Sequence, residues 1–203
     1  MEVAIRKRLA GSETSEREFM ANRLRFRFNA EKFANAVVYI AQMCPGSTKL
    51  TVCKHLYLAD KEHLVRYGRP ILGDHYHKLP HGPAPTRGLD ILRGRALAAE
   101  GALLEKYVSI IGNSVHPRRP ANRKVFSKSD LEVLDWVIEK YGEWDASSLR
   151  DLTHKQAPWR DTEDSCPIDY ALFFEDRPEA DGVRRLAEAE QESRDLLRPY
   201  ATR

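Results

Sequence analysis

Four side chains of the kind that bind metal ions lie close together in one stretch of the sequence, namely Asp74, His75, His77 and His81. Alternate residues of an extended segment point the same way, so His75 and His77 form a candidate ligand pair, with His81 or Asp74 as the third ligand. No fourth ligand is indicated, and polar loops often contain histidines that bind nothing. The favoured interpretation is a loop without a metal ion, and no other motif of the chain indicates a cofactor.

Catalytic signatures are missing from the sequence, which contains no GxSxG, GxxxxGK[ST], GxGxxG or HExxH motif. Cys53 and His55 are two residues apart on a predicted helix, so their side chains point to different faces and form no nucleophile–base pair. Cys53 is better interpreted as a core residue. We therefore expect a protein that has no catalytic residues and is not an enzyme.

A further polar group lies near the end of another predicted helix, where Thr153 and His154 precede Trp159. His154 and Trp159 could line a pocket. They could equally form a helix end in which Trp159 buries its ring while His154 or Lys155 bonds the last carbonyl groups. The residue types alone leave both interpretations open.

Two segments carry an excess of basic residues and could contact nucleic acid. Residues 116–128 hold five basic side chains and no acidic one, and residues 1–28 hold seven basic and four acidic residues. Charged segments are usually solvated, and residues 116–128 lack the interleaved aromatic side chains of a surface that binds single strands. Binding to DNA is therefore an alternative function, and a disfavoured one.

The elements that must position these side chains are mostly helical. The chain has 203 residues, of which 42% are hydrophobic, and this is enough for one domain with its own core. Helices are expected at Asn29–Met43, from Ser47 or Thr48 to Tyr67, and at Pro83–Ala99, Ser127–Tyr141, Ser148–Lys155, Ile168–Phe174 and Pro178–Tyr200, and strands are expected at Ala102–Ile111 and Arg123–Phe126. The sequence thus predicts an α+β fold, a predominantly α-helical single domain with a small antiparallel β hairpin or sheet.

The chain divides into three parts by composition. Residues 1–28 are a basic, partly flexible arm, residues 29–175 form the domain, and residues 176–203 form a C-terminal amphipathic helix. Met20 is an alternative translation start, because the regular pattern begins only after it. No secretory signal follows Met1 and no apolar run is long enough to span a bilayer, so we expect a cytoplasmic protein without a membrane partner.

Three blocks of the sequence closely resemble the signature of the Panacea domain, also called SocA-like. The first block is KHLYLADKEHLVRYGRPILGDHYHKLPHGPAPTRGLDILRG, residues Lys54–Gly94, with the family's YLAD, YGRPI, GD and PHGP elements. The second is FSKSDLEVLDWVIEKYG (Phe126–Gly142), and the third is SSLRDLTHKQAPW (Ser147–Trp159). The blocks occur in the family's order and make residues 29–175 a Panacea-like domain. Ala84 stands where the family often has valine.

Resemblance to this family implies a mainly helical protein with a small β element. Many Panacea proteins are antitoxins of bacterial or phage toxin–antitoxin pairs, and they neutralise a cognate protein toxin by direct protein–protein contact. One branch acts as a proteolytic adaptor that delivers the toxin to a cytoplasmic AAA+ protease. We therefore expect an antitoxin, with a proteolytic adaptor or a DNA-binding autoregulator as the alternatives.

The positions that match the family's motifs supply candidate partner-binding residues, together with glycines and prolines that fix a tight loop between two helices. They are Tyr57, Asp60, Tyr67, Gly68, Pro70, Gly73, Asp74, His81, Gly82, Pro83, Thr153, His154 and Trp159. We expect Asp60, His81 and His154 to form a polar cluster that holds the loop, because buried polar groups must find partners. If exposed, the same cluster would bind the partner, and Arg118 and Arg119 are further candidate anchors.

Overall fold

The computed structural model describes residues 24–197, and within that range the chain forms eight α-helices and two β-hairpins. The helices are α1 (Ala30–Met43), α2 (Lys49–Tyr67), α3 (Thr86–Leu92), α4 (Ala98–Glu105), α5 (Lys128–Tyr141), α6 (Ala146–His154), α7 (Ala157–Arg160) and α8 (Asp181–Leu197). The strands are β1 (Tyr76–Leu79), β2 (Gly82–Pro85), β3 (Val108–Ile111) and β4 (Ser114–Pro117), paired antiparallel as β1–β2 and β3–β4. The predicted α+β fold, mainly helical with a small antiparallel β element, is confirmed.

Helix α2 is the centre of the fold. A reciprocal capping box between Thr48 and Thr51 starts it, and Gly68, with a φ of +72°, ends it. Fourteen of its 19 residues are buried, because α1, α5, α6, α8 and the β1–β2 hairpin all pack against it. A helix enclosed in this way carries polar residues into the core, and each of them needs a partner there.

The segment that leads into α1 packs against the core. Leu24 is only 5% exposed, and the ring of Phe26 meets that of Tyr170 edge-on with 5.0 Å between their centroids. This end of the polar arm is therefore in contact with the packed domain. The preceding part of the arm, residues 1–23 with Met20, lies outside the described residues.

The predicted helix Pro83–Ala99 is confirmed only in its middle, Thr86–Leu92, and is wrong at its start. Pro83 and Pro85 belong to β2, which pairs with β1 alone, so its other edge needs no N–H donors and tolerates proline. Helix α3 begins only after Pro85 and ends just before Gly94, whose φ of +68° is left-handed. Helix α4 is a separate element that follows this break.

The second hairpin also differs from the prediction. Helix α4 takes up the first part of the predicted strand Ala102–Ile111, and the return strand is β4 rather than Arg123–Phe126. A positive φ of +60° at Gly112 permits the two-residue turn that joins β3 to β4. Arg118 and Arg119 consequently lie after β4, exposed at the open end of the hairpin instead of at its tip.

The later helices are confirmed with shifted ends. Helix α5 starts with a capping box of Ser127 and Asp130, and Asp145 caps α6. The predicted helical piece before α8 is a 3-10 turn, Tyr170–Phe173, and a second such turn, Pro178–Ala180, precedes α8. The last six residues lie outside the described range. Within that range no helix is both long and apolar enough to cross a membrane.

Candidate functional site

Most positions that match the Panacea motifs are buried around α2 and the segment that follows it. Tyr57, Asp60, Asp74, Gly82, Pro83 and Thr153 are buried, His154 and Trp159 are partly buried, and His81 is exposed. Their polar atoms form separate groups of hydrogen bonds, which we name after Asp60, Lys54 and Gln156.

The Asp60 group holds the turn that leaves α2. Asp60 Oδ1 accepts hydrogen bonds from the backbone N–H groups of Ile71 (2.9 Å) and Leu72 (2.8 Å), and its Oδ2 accepts one from the hydroxyl of Tyr76 (3.0 Å). Burial raises the pKa of Asp60 to about 7, although these bonds favour the charged form. All three bonds run toward the carboxylate, so Asp60 acts as an acceptor that fixes the turn.

Asp74 fixes the far end of the same turn. Its carboxylate accepts hydrogen bonds from the backbone N–H groups of Arg87 (3.1 Å) and Gly88 (2.7 Å), at the start of α3. The Tyr170 hydroxyl donates to the Asp74 backbone carbonyl. Burial raises the pKa of Asp74 against the effect of these N–H donors. Asp60 and Asp74 together tie the chain between α2 and α3 to the core.

The Lys54 group joins α2 to the β1–β2 hairpin. Lys54 is 1% exposed, and its Nζ donates a hydrogen bond to the Pro83 carbonyl at 2.9 Å. Burial lowers the pKa of Lys54 to about 7. Gly82 has a φ of +93°, and a Cβ placed there would lie 2.5 Å from Lys54 Nζ and 2.7 Å from Thr153 Oγ1. The close approach of these groups therefore requires glycine at this position.

His154 and Trp159 stack on each other beside this hairpin. Their ring centroids are 3.7 Å apart with 5° between the planes, and Trp159 Nε1 donates to the Leu79 carbonyl at 3.0 Å. Burial and the nearby charge of Lys54 lower the pKa of His154. The stacked pair attaches the end of α6 and α7 to β1, but in the described part of the chain His154 Nε2 is buried without a hydrogen-bond partner, so His154 does not bond the last carbonyl groups of α6.

The Gln156 group links α2 to the loop before α8. Gln156 Oε1 accepts hydrogen bonds from the Tyr57 hydroxyl (3.0 Å) and from Lys61 Nζ (3.2 Å). Lys61 Nζ also pairs with Asp176 Oδ2 at 2.6 Å. Tyr57 is thus committed to an internal bond and is not available to a partner through its hydroxyl.

The expected cluster of Asp60, His81 and His154 does not form. Asp60 bonds the segment after α2, whereas His81 is exposed in the turn between β1 and β2. The other loop histidines do not join it either, because His75 is exposed and His77 Nδ1 lies 2.7 Å from the Thr86 hydroxyl. Within residues 24–197 no three His, Cys, Asp or Glu side chains are grouped as metal ligands.

Arg118 and Arg119 are not part of these buried groups. Both are exposed, and Arg118 Nη1 makes a long contact of 3.4 Å with the Glu105 carbonyl. Their backbone N–H groups bond the Tyr107 carbonyl, which fixes the chain after β4 and leaves the two guanidinium groups on the surface.

Sequence reasoning missed Lys54, although it is the first residue of the block that resembles the family. One signal was present, because Lys54 stands three residues before Tyr57 and one turn after Leu50, on an apolar face of the helix. A lysine on an apolar helix face either reaches the protein surface or is a buried charged group with a structural or binding role. Gln156 carried no comparable signal.

A second missed group surrounds the carboxylate of Asp130, which is fully buried at the start of α5. It accepts hydrogen bonds from Ser127 N–H (2.9 Å) and Arg69 Nη2 (3.0 Å), pairs with His63 Nε2 (3.1 Å) and is bonded by Lys32 Nζ. Burial by itself would raise the pKa of Asp130, but the bonds from His63, Lys32 and Ser127 outweigh it and hold the pKa well below its usual range. The capping box revealed the bond to Ser127 and not the distant cations.

These groups stabilise the arrangement of the elements around α2. Their hydrogen bonds close turns and join elements, and burial raises the pKa of the Cys53 thiol to about 12, which keeps it protonated and unreactive.

A family model described as "Antitoxin SocA-like, Panacea domain" matches residues 52–160, more than half of the chain. The matched segment contains the central part of α2, both hairpins, α5, α6 and the stacked pair of His154 and Trp159. No curated protein and no solved structure matches the chain.

Proposed function

The chain belongs to the family of SocA-like antitoxins with a Panacea domain, and from this membership we propose that it is the antitoxin of a bacterial or phage toxin–antitoxin pair. It acts in the cytoplasm and neutralises a cognate protein toxin by binding it directly. The observation that carries the proposal is the family match over residues 52–160, which contains the Asp60 and Lys54 groups.

A binding role rather than a catalytic one is supported by how the motif residues are used. Hydrogen bonds that hold turns in place use the polar side-chain atoms of Asp60, Asp74 and Trp159. What such a domain offers a partner is its surface, and a stable interface buries roughly 1,600 Å² in total. Large exposed apolar side chains that can anchor such an interface are Met43, Trp144, Leu186, Leu196 and Leu197.

Co-expression tests the proposal. The reading frame adjacent to this gene is placed under an inducible promoter, with and without this chain, and growth is scored. We expect the neighbour to stop growth on its own, this chain to restore it, and the two proteins to copurify as a stable complex with unchanged toxin levels.

Other outcomes identify the alternatives. Restored growth with faster loss of the toxin in the presence of a AAA+ protease would show the proteolytic adaptor. Restored growth with less toxin mRNA, and binding to the operon's promoter with a steep salt dependence, would show the DNA-binding autoregulator. A neighbour that is harmless in every strain, and binds nothing in this chain, would contradict the antitoxin assignment.

A further inference from the structure

A cavity of about 480 Å³ lies beside the Lys54 group, between the start of α2, the β1–β2 turn and the end of α3. A cavity of this volume is large enough for a side chain of a partner protein or for a small molecule. Its apolar wall includes Leu50, Leu79 and Leu89, and its cationic residues are Lys49, Lys54 and Arg93. No aspartate or glutamate of the described chain lines it. The cavity is therefore both apolar and positively charged.

Lys54 is the unusual member of this lining. Its ammonium group has three N–H donors, but its single hydrogen bond in residues 24–197 goes to the Pro83 carbonyl. No carboxylate of that range pairs with it, although buried ammonium groups normally have an anionic partner. By comparison, the buried Lys61 on the same helix pairs with Asp176 at 2.6 Å. Lys54 is thus a buried amine on a cavity wall, with unused donors and with no carboxylate partner among residues 24–197.

We propose that this cavity receives an acidic side chain of the toxin, whose carboxylate pairs with the ammonium group of Lys54. The inference rests on the proposed antitoxin function and names the surface that the toxin contacts. An aspartate or glutamate followed by an aliphatic residue fits the lining, because the carboxylate meets Lys54 and Arg93 while the aliphatic part meets the leucines. The exposed Arg93 at the mouth and His81 in the adjoining turn present positive or neutral groups to such a segment.

A carboxylate in the cavity would also offset the unfavourable burial of the Lys54 charge in the free protein. Burial lowers the pKa of Lys54 to about 7, which means that the folded chain holds its charge poorly. A carboxylate from outside would supply the missing counter-ion and favour the charged form. The charge of Lys54 therefore lowers the stability of the free protein and strengthens the binding of an acidic partner. This is expected of a residue that acts in recognition.

The experiment uses the full chain and the toxin from the co-expression test, with affinities measured by titration calorimetry. The variants are Lys54→Met, which keeps the volume and removes the charge, and Arg93→Glu, which reverses an exposed charge at the mouth. The matched control is Lys106→Glu, which reverses an exposed charge just after α4, outside the cavity lining. We expect toxin binding to weaken roughly 30-fold or more in Lys54→Met and at least several-fold in Arg93→Glu. The control is expected to stay within about twofold.

A thermal melt shows whether each variant is folded, and Lys54→Met is expected to keep a cooperative transition, because losing the bond to Pro83 is offset by removing a poorly solvated ammonium group. A second assay on the chain alone compares glutarate with its uncharged isostere glutaramide. Glutarate is expected to raise the melting temperature of the unchanged chain and not that of Lys54→Met.

Different results separate the two proposals. If the unchanged chain binds the toxin and both cavity variants bind it equally well, the cavity is not the contact and the antitoxin function stands. If the unchanged chain does not bind the toxin at all, the proposed function fails. Glutarate could bind tightly at Lys54 while Lys54→Met binds the toxin as well as the unchanged chain does. The site would then bind a free small carboxylate, and our assignment of its occupant would be wrong.

Discussion

Asp130→Ala is expected to lower the free energy of unfolding by about 4 kcal/mol, because it removes a fully buried carboxylate that pairs with Lys32, Arg69 and His63. Arg69, Lys32 and His63 would lose their common partner, and Ser127 N–H would lose its cap at the start of α5. Denaturation by urea, followed by the far-ultraviolet circular dichroism of the helices, measures the change.

The pH dependence of this effect has a definite sign. The folded pKa of Asp130 is lowered, so its contribution is present above the unfolded pKa of about 4 and is lost as pH falls further. The difference between the two proteins should accordingly shrink below about pH 4. Asp151→Ala is the control, since this exposed carboxylate pairs only with its neighbour Arg150. Equal stability of Asp130→Ala and the control at pH 7 would contradict the buried cluster.

Asp60→Ala is expected to cost about 3 kcal/mol, because it leaves the N–H groups of Ile71 and Leu72 and the hydroxyl of Tyr76 buried without their acceptor. Asp60→Asn should cost less, since its amide oxygen can still accept from the two N–H groups. Urea midpoints at pH 7 measure both. A cost for alanine no larger than that for asparagine would mean that the turn does not depend on this acceptor.

The pH signature of Asp60 has the opposite sign to that of Asp130. Its folded pKa is raised to about 7, so between pH 4 and 7 the folded state holds a proton that the unfolded state has lost. Asp60 therefore contributes a fall in stability as pH rises through this window. Asp60→Asn removes that contribution, so from pH 4 to 7 the slope of stability against pH should be more positive than that of the unchanged chain. A curve of unchanged slope would count against the raised pKa.

Helices with explicit caps were predictable from the sequence, whereas segments rich in proline were not. Asn29, Thr48 and Ser127 accept hydrogen bonds at helix starts as their positions predict, because a cap is a local interaction. Pro83 and Pro85 suit a helix start and an edge strand equally well. Their place in β2 depends on distant groups such as Lys54, which lie outside any local pattern.

The family resemblance identified the residues of the candidate site, and the structure showed which contacts each of them makes. Asp60, Gly82 and Trp159 were singled out as motif residues, but which atoms they bond depends on the packing around α2. Lys54 and Asp130 escaped notice because charged residues usually lie on the surface, and nothing local distinguishes the exceptions. Whether a charged side chain is buried depends on groups that are distant in the sequence, and one amino-acid sequence alone does not identify those groups.

The enclosure of α2 has a consequence for hydrogen exchange. Most of its amide hydrogens lie in buried residues that the surrounding elements cover, so no local opening exposes them. We expect these amides to exchange only through global unfolding, whereas those of α4, which has one buried residue, exchange through small fluctuations. The rate at which α2 exchanges would then report the stability of the whole domain, and a tightly bound toxin would slow exchange along the entire helix, including turns that it does not contact.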